Sequence, residues 1–304
     1  MKFFDLHCDT ATYCLYEKNG ACLEDAPAHL SLKKGAYFDK WAQTFAIFVP
    51  DEYRGQAAIE YYEKARDYIY AQKGITLCRT AGEITAAENC AAVMSIESGA
   101  PLAGDIERVE KLYNDGVRMI TLTWNAANEL GDGNGVKNAG GLTDFGIDVV
   151  RRMNDLGMIV DVSHLSDAGF WDVADNSTRP FIASHSDSRV LAPHSRNLTD
   201  DMFSCIVECG GIVGLNFCPA FLNAEPEKAC MEDILRHAER FLSLGGEDTV
   251  CMGSDFDGTD MPKGITGIES MGELYECFLR HNYSEEQVKK IFWGNAESYF
   301  ARVL

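Results

Sequence analysis

The chain has 304 residues, with 27 Lys+Arg against 47 Asp+Glu and a formal net charge of −20 at pH 7. Its 46% hydrophobic and 24% charged residues are the make-up of a folded globular protein, which excludes disordered, collagen-like and low-complexity classes. Acid in this excess, with no Lys/Arg cluster, repels phosphate backbones and anionic lipid, so no nucleic acid and no membrane is expected as partner.

The opening MKFFDLHCDT carries Asp5 and His7 inside its apolar stretch and does not read as a signal peptide. No run of about 18 apolar residues follows anywhere. The eleven cysteines are odd in number, scattered, and never spaced C-x-x-C. They read as reduced, mostly buried thiols, and the expected location is cytoplasmic. On that reading the N-x-[ST] matches at Asn176, Asn197 and Asn282 are chance.

Along the chain, short apolar runs alternate with segments of helical period. The runs are 3–6, 45–49, 91–96, 119–123, 158–162, 181–183, 211–216 and 249–252. Amphipathic helices are predicted over 60–72, 106–114, 144–156, 167–175, 200–209 and 232–244. Residues 10–44 read as irregular, with short helical turns. Residues 271–304 read as two helices, the second opened by a capping box of Ser284 and Gln287. The glycine-rich 131–141 follows the fourth run and lacks G-K-[ST]. It reads as a long flexible loop or lid rather than a phosphate cradle. Continuous apolar strands between helices predict a parallel sheet covered on both faces. Eight such units predict one (β/α)₈ TIM-type barrel domain over 1–304.

A barrel of this kind builds its active site from the ends of its strands. The first run ends in His7-Cys8-Asp9, whose alternation puts His7 and Asp9 on one side, about 7 Å apart at ~3.3 Å per residue. Later runs end in Glu97, His164, His185 and Asp255. Three of the seven histidines and three carboxylates thus fall at one level of five strands. An unpaired charge there is costly to bury, and the mixture suits zinc or another borderline divalent metal. With one carboxylate bridging, the set suffices for two ions. His29, His237 and His281 read as solvated, and His194 as shaping a loop. Cys8 points into the barrel wall. Ser95, Ser163 and Ser184 point outward by the same alternation. No G-x-S-x-G elbow supports a serine hydrolase. The tyrosines of the 60–72 helix read as one packed face.

These segments resemble the membrane (renal) dipeptidase family of binuclear zinc peptidases, in its bacterial, non-secreted branch. The resemblance runs over nearly the whole length. It rests on DLHCDT, SIESGAPL around Glu97, GLTDFGIDVVRRMNDLGMIVDVSHLSD through His164, PFIASHS around His185, SRNLTDD and GSDFDG around Asp255. It implies two Zn²⁺ per chain, one on His7 and Asp9 and one on His164 and His185, with Glu97 and a water or hydroxide bridging them. It implies that Asp255 handles the proton and that Arg196 holds the substrate's C-terminal carboxylate. The implied activity is hydrolysis of dipeptides, including those ending in a D-residue, by a homodimer. Two departures stand out. TLTWN puts Trp124 where the family often has a histidine, with Asn125 as a possible substitute contact, and NFCPAFL lacks a tyrosine often found there. Both bear on the substrate pocket. The competing expectations are another amidohydrolase, an N-acyl amino acid deacylase or lactonase, on the same site, and a metal-binding protein impaired by Trp124.

Overall fold

A computed structural model describes residues 1–304. Its strands, numbered in chain order, are β1 (Lys2–Cys8), β2 (Lys40–Phe48), β3 (Ile75–Leu77), β4 (Cys90–Glu97), β5 (Val117–Thr121), β6 (Ile159–Asp161), β7 (Val213–Leu215) and β8 (Val250–Met252). Seven run parallel in the spatial order β6-β5-β4-β2-β1-β8-β7, and β3 pairs beside the start of β4. The ring closes through residues 181–183. Ile182 bridges to Asp161 at the end of β6, and Ala183 bridges to Val213 of β7. Eight parallel staves therefore surround one interior, which is the expected (β/α)₈ TIM-type architecture.

The staves are apolar because both of their faces are covered. Every residue of β4 is buried, as is every residue of β5. The interior is narrow near the seam: a Cβ added at Gly214 or at Gly253 would lie 2.0 Å from the Ser184 carbonyl oxygen. Three of the covering helices, those opening at Asp144, Asp167 and Asp200, start on side-chain caps, which satisfy amide donors that have no partner inside the helix. Thr143 Oγ1 accepts from the Gly146 N–H, and Thr199 Oγ1 accepts from the Met202 N–H. The helix Asp144–Leu156 stops at Gly157, whose φ of 74° favours glycine. All eleven cysteines are free, and no helix is long and apolar enough to cross a membrane.

Several sequence expectations need correction. β2 begins at Lys40, five residues before the apolar run. Its polar Gln43 is fully buried because its Nε2 donates to Asp5 Oδ2 at 2.8 Å. The strand β3 and the helix Ala81–Ala86 were not predicted. Only half of the Ser284 capping box forms: Ser284 Oγ accepts from the Gln287 N–H, but the Gln287 side chain donates to the Glu247 carbonyl. Residues 131–141 are not a free loop. The N–H groups of Gly133, Asn134 and Gly135 donate to the carbonyls of Ala126, His164 and Asn125. That pins the segment against the strand ends.

Candidate metal centre

The strand ends deliver their side chains to one place. His7 is the penultimate residue of β1, and Glu97 ends β4. His164 follows β6, His185 follows the 181–183 seam, and Asp255 follows β8. His164 and Asp255 have φ of 67° and 61°. Side chains other than glycine pay about 1 kcal/mol or more for that left-handed backbone, and His and Asp are among those that tolerate it.

Glu97 occupies the middle. Its Oε1 is 2.8 Å from His164 Nε2 and 3.8 Å from His185 Nε2, while its Oε2 is 3.5 Å from His7 Nε2. His7 Nε2 is also 3.5 Å from Asp9 Oδ2 and 3.9 Å from Asp255 Oδ1. The sets His7/Glu97/His185 and His7/Asp9/Asp255 each bring their ligand atoms within 4.8 Å of one another. Glu97 is 2% exposed and His7 is fully buried.

The residues present fit a metal. Both ring nitrogens of His7 and Asp9 Oδ1 are buried without a hydrogen-bond partner. Such orphaned groups are rare unless something else satisfies them. Backbone approach also leaves room beside the acids: a Cβ at Gly258 would lie 2.2 Å from Asp9 Oδ2 and 2.4 Å from Asp255 Oδ1. Burial, reinforced by Asp9, pushes the Glu97 carboxyl well up. Burial pushes Asp255 up too, although the His7 ring opposes it. Burial, aided by the charges of Arg196 and His7, pulls the His164 and His185 rings far below their ordinary value. Neutral His164 and His185 rings are the state that a divalent cation binds, whereas at His7, although burial works against the charged ring, Glu97 and Asp9 raise it well above its ordinary value, so a cation there takes the place of that proton.

Around this centre opens a cavity of about 800 Å³ that Asp9, Glu97, His164, Asp255, Arg196, Trp124 and Asn125 all line. Arg196 is 5% exposed. Its Nη1 donates to Ser186 Oγ at 3.2 Å and its Nη2 to the His185 carbonyl at 3.0 Å, while its Nε has no partner. Asp255 Oδ2 accepts from Asn216 Nδ2 at 3.1 Å. Asn125 Oδ1 lies 3.0 Å from His164 Nδ1. Trp124 meets Phe48 edge to face at 4.9 Å between ring centroids and forms part of the wall. His194 and Tyr61, read as a loop residue and a packing residue, also line the cavity.

Three further expectations fail. His237 is not solvated: it is fully buried, its Nδ1 accepts from the Ser188 N–H at 3.0 Å, and its Nε2 lies 3.0 Å from the Leu222 carbonyl. His29 is only partly solvated, because its Nδ1 accepts at 3.1 Å from the N–H of Asp257, a residue that lines the cavity. The serines before the ligands are buried, and Ser163 and Ser184 join a polar network with Asp161. Sequence reasoning missed Asp161, Asn216 and Gly258. Only Gly258 left a local sign, as the last residue of GSDFDG.

A parallel barrel whose strand ends gather histidines and carboxylates around one cavity defines a metal-dependent hydrolase. The family model of the membrane dipeptidases, peptidase family M19, matches residues 1–303, and the chain belongs to that family. Membership makes it a metallopeptidase that acts on peptide bonds. Over 236 residues it is 35% identical to an uncharacterised protein of Klebsiella pneumoniae, covering 73% of this chain and 86% of that one. It is 33% identical to an uncharacterised dipeptidase of Schizosaccharomyces pombe over 67% of its length, and it spans about half (51%) of that longer relative. A metallopeptidase of Rhodobacter sphaeroides, solved with a phosphinate mimic of the dipeptide L-Ala-D-Ala, superposes with a TM-score of 0.92. The two are 28% identical, over 100% of this chain and 99% of the other.

Proposed function

We propose that the protein is a dipeptidase that holds two zinc ions and requires a free carboxylate at the substrate's C-terminus. His7 and Asp9 would hold one ion, His164 and His185 the other, with Glu97 between them. The observation that carries this reading is Arg196: a buried guanidinium with an unpartnered Nε on the wall that Glu97 and Asp255 also line.

When bound, the ions lower the pKa of a shared water and polarise the scissile carbonyl. The protein's own groups do the rest. Arg196 pairs with the substrate carboxylate, and its rigid fork sets the distance from that carboxylate to the scissile bond. A longer peptide has no carboxylate at that distance, so the reading is a dipeptidase and not an endopeptidase. Asn216 holds one oxygen of Asp255, leaving Oδ1 on the His7 side to take the proton of the attacking water and return it to the leaving amine. Trp124 offers one N–H and no charge, so it shapes the wall without carrying a proton. The bacterial neighbour's L-Ala-D-Ala mimic supports extending the substrate range to a C-terminal D-residue. A homodimer in the cytoplasm belongs to the same reading.

The test is metal analysis joined to a substrate panel. Two equivalents of zinc, turnover of dipeptides and poor turnover of dipeptide amides are expected. Faster hydrolysis of N-acyl amino acids than of dipeptides would replace this reading with a deacylase on the same site.

A further inference from the structure

The three histidines at the centre are not held alike. His164 has Asn125 Oδ1 at 3.0 Å from its Nδ1, and His7 has no partner at either nitrogen. His185 Nδ1 lies 2.7 Å from Ser184 Oγ. The direction of that last bond follows from what surrounds Asp161. Asp161 Oδ1 accepts from the backbone N–H groups of Ser163 at 3.0 Å and Ser184 at 2.8 Å. Its Oδ2 accepts from Thr121 Oγ1 at 2.6 Å and from Ser184 Oγ at 2.5 Å. A carboxylate receiving four donors has no proton of its own to give. The Ser184 hydroxyl hydrogen therefore points to Asp161, and Ser184 Oγ must accept from the histidine ring. That places the ring hydrogen on Nδ1 and leaves the Nε2 lone pair facing Glu97 and His164.

We propose that Asp161 and Ser184 form a positioning relay that fixes the tautomer of His185 and so makes its Nε2 a metal ligand. The relay rests on the reading of His185 as a ligand. It also ties two jobs together. Asp161 ends β6, and its carboxylate accepts from both the N–H and the hydroxyl of Ser184, adding to the backbone bonds by which the 181–183 segment closes the ring. One buried carboxylate thus fastens the seam and orients the ligand that the seam carries.

The relay predicts graded outcomes for two small changes. Ser184→Ala removes the hydroxyl and leaves His185 Nδ1 without a partner. Loss of such a support typically lowers metal affinity about 10- to 100-fold. Asp161→Asn does more. The two backbone N–H groups still demand an oxygen, so the amide oxygen takes the Oδ1 place and the NH₂ group faces Ser184 and Thr121. Ser184 Oγ then accepts from Asn, and its hydrogen turns toward His185 Nδ1. The ring hydrogen moves to Nε2, where a metal must displace it.

The experiment uses the full chain labelled with ¹⁵N-histidine, with metal removed by chelation and zinc returned against a competing chelator. In the metal-free protein, His185 is assigned from the resonance lost in His185→Ala. The expected spectrum shows the Nδ1–H tautomer in the wild type and Nε2–H in Asp161→Asn. Zinc affinity should fall about 10- to 100-fold at one equivalent in Ser184→Ala, further in Asp161→Asn, and not at the other equivalent. A wild-type Nε2–H tautomer overturns the relay. So does wild-type zinc affinity in Ser184→Ala, which also keeps the test alive if Asp161→Asn does not fold. A His185→Ala variant that binds zinc as the wild type does would instead overturn the ligand reading, whatever the tautomer.

Discussion

The Nε2 atoms of His164 and His185 face each other at 3.0 Å, and Glu97 Oε1 is within 4 Å of both. Two ring nitrogens at that distance repel unless a proton or a cation lies between them. Burial holds both rings toward the neutral form, and with their single hydrogens on Nδ1, facing Asn125 Oδ1 and Ser184 Oγ, the gap between the Nε2 atoms is left for a cation. Adding zinc should therefore stabilise the protein. A rise in unfolding midpoint that saturates with zinc concentration is expected, because ligand binding to the folded state alone contributes RT ln(1 + [L]/Kd).

Glu97→Gln should disturb both halves of the centre at once. The amide keeps the shape but offers only one oxygen, and Glu97 presents one oxygen to His164 and His185 and the other to His7. Metal content by elemental analysis should fall, and activity with it. A variant that retains two equivalents and near-normal turnover shows that Glu97 does not bridge.

Asp255→Asn should keep the metals and the fold. Asn tolerates the left-handed φ of 61° at this position as well as Asp does. Turnover should fall by about 10²–10⁴-fold, the usual contribution of a general acid–base group. Loss of metal in this variant would reassign Asp255 as a ligand.

Arg196→Met should raise KM for a dipeptide roughly 10- to 150-fold, since a charge-assisted pair contributes about 1.5–3 kcal/mol. A dipeptide amide has no carboxylate to lose, so its kcat/KM should change little. Equal losses on both substrates would mean that Arg196 supports its loop through Ser186 and His185 rather than holding substrate.

Gly258→Ala should weaken metal retention without replacing any ligand. The new methyl meets the carboxylates of Asp9 and Asp255 at 2.2 and 2.4 Å, and both must move. Dialysis against a weak chelator should strip the variant before the wild type.

The barrel staves were legible because their residues are apolar over continuous runs, and the strand-end histidines and acids were legible because those runs stop at them. The start of β2 was hidden by the buried polar residues Gln43 and Thr44, of which Gln43 is satisfied by Asp5 of the neighbouring β1. Asp161 and Ser184 could not be read for the same reason: their bond joins positions 23 residues apart across the seam. His237 was legible and was misread. It shares a helical stripe with Ile234, Ala238 and Phe241, all buried, and that spacing places it inward. β3 has three half-buried residues, too few to carry a periodic signal.

β1 and β8 are neighbours in the ring, joined at Asp5 and Met252, with Cys8 bridging to Phe256. The site therefore draws on the chain from His7, a ligand, to Asp255, the proton-handling group. During synthesis the first ligand leaves the ribosome long before the last. Until β8 follows, His7 and Asp9 have neither Asp255 nor the Gly258 turn beside them. The complete site can then form only late, after translation has passed the eighth stave. A ribosome stalled before that point would hold a chain rich in loose histidines and thiols, able to capture metal in the wrong geometry.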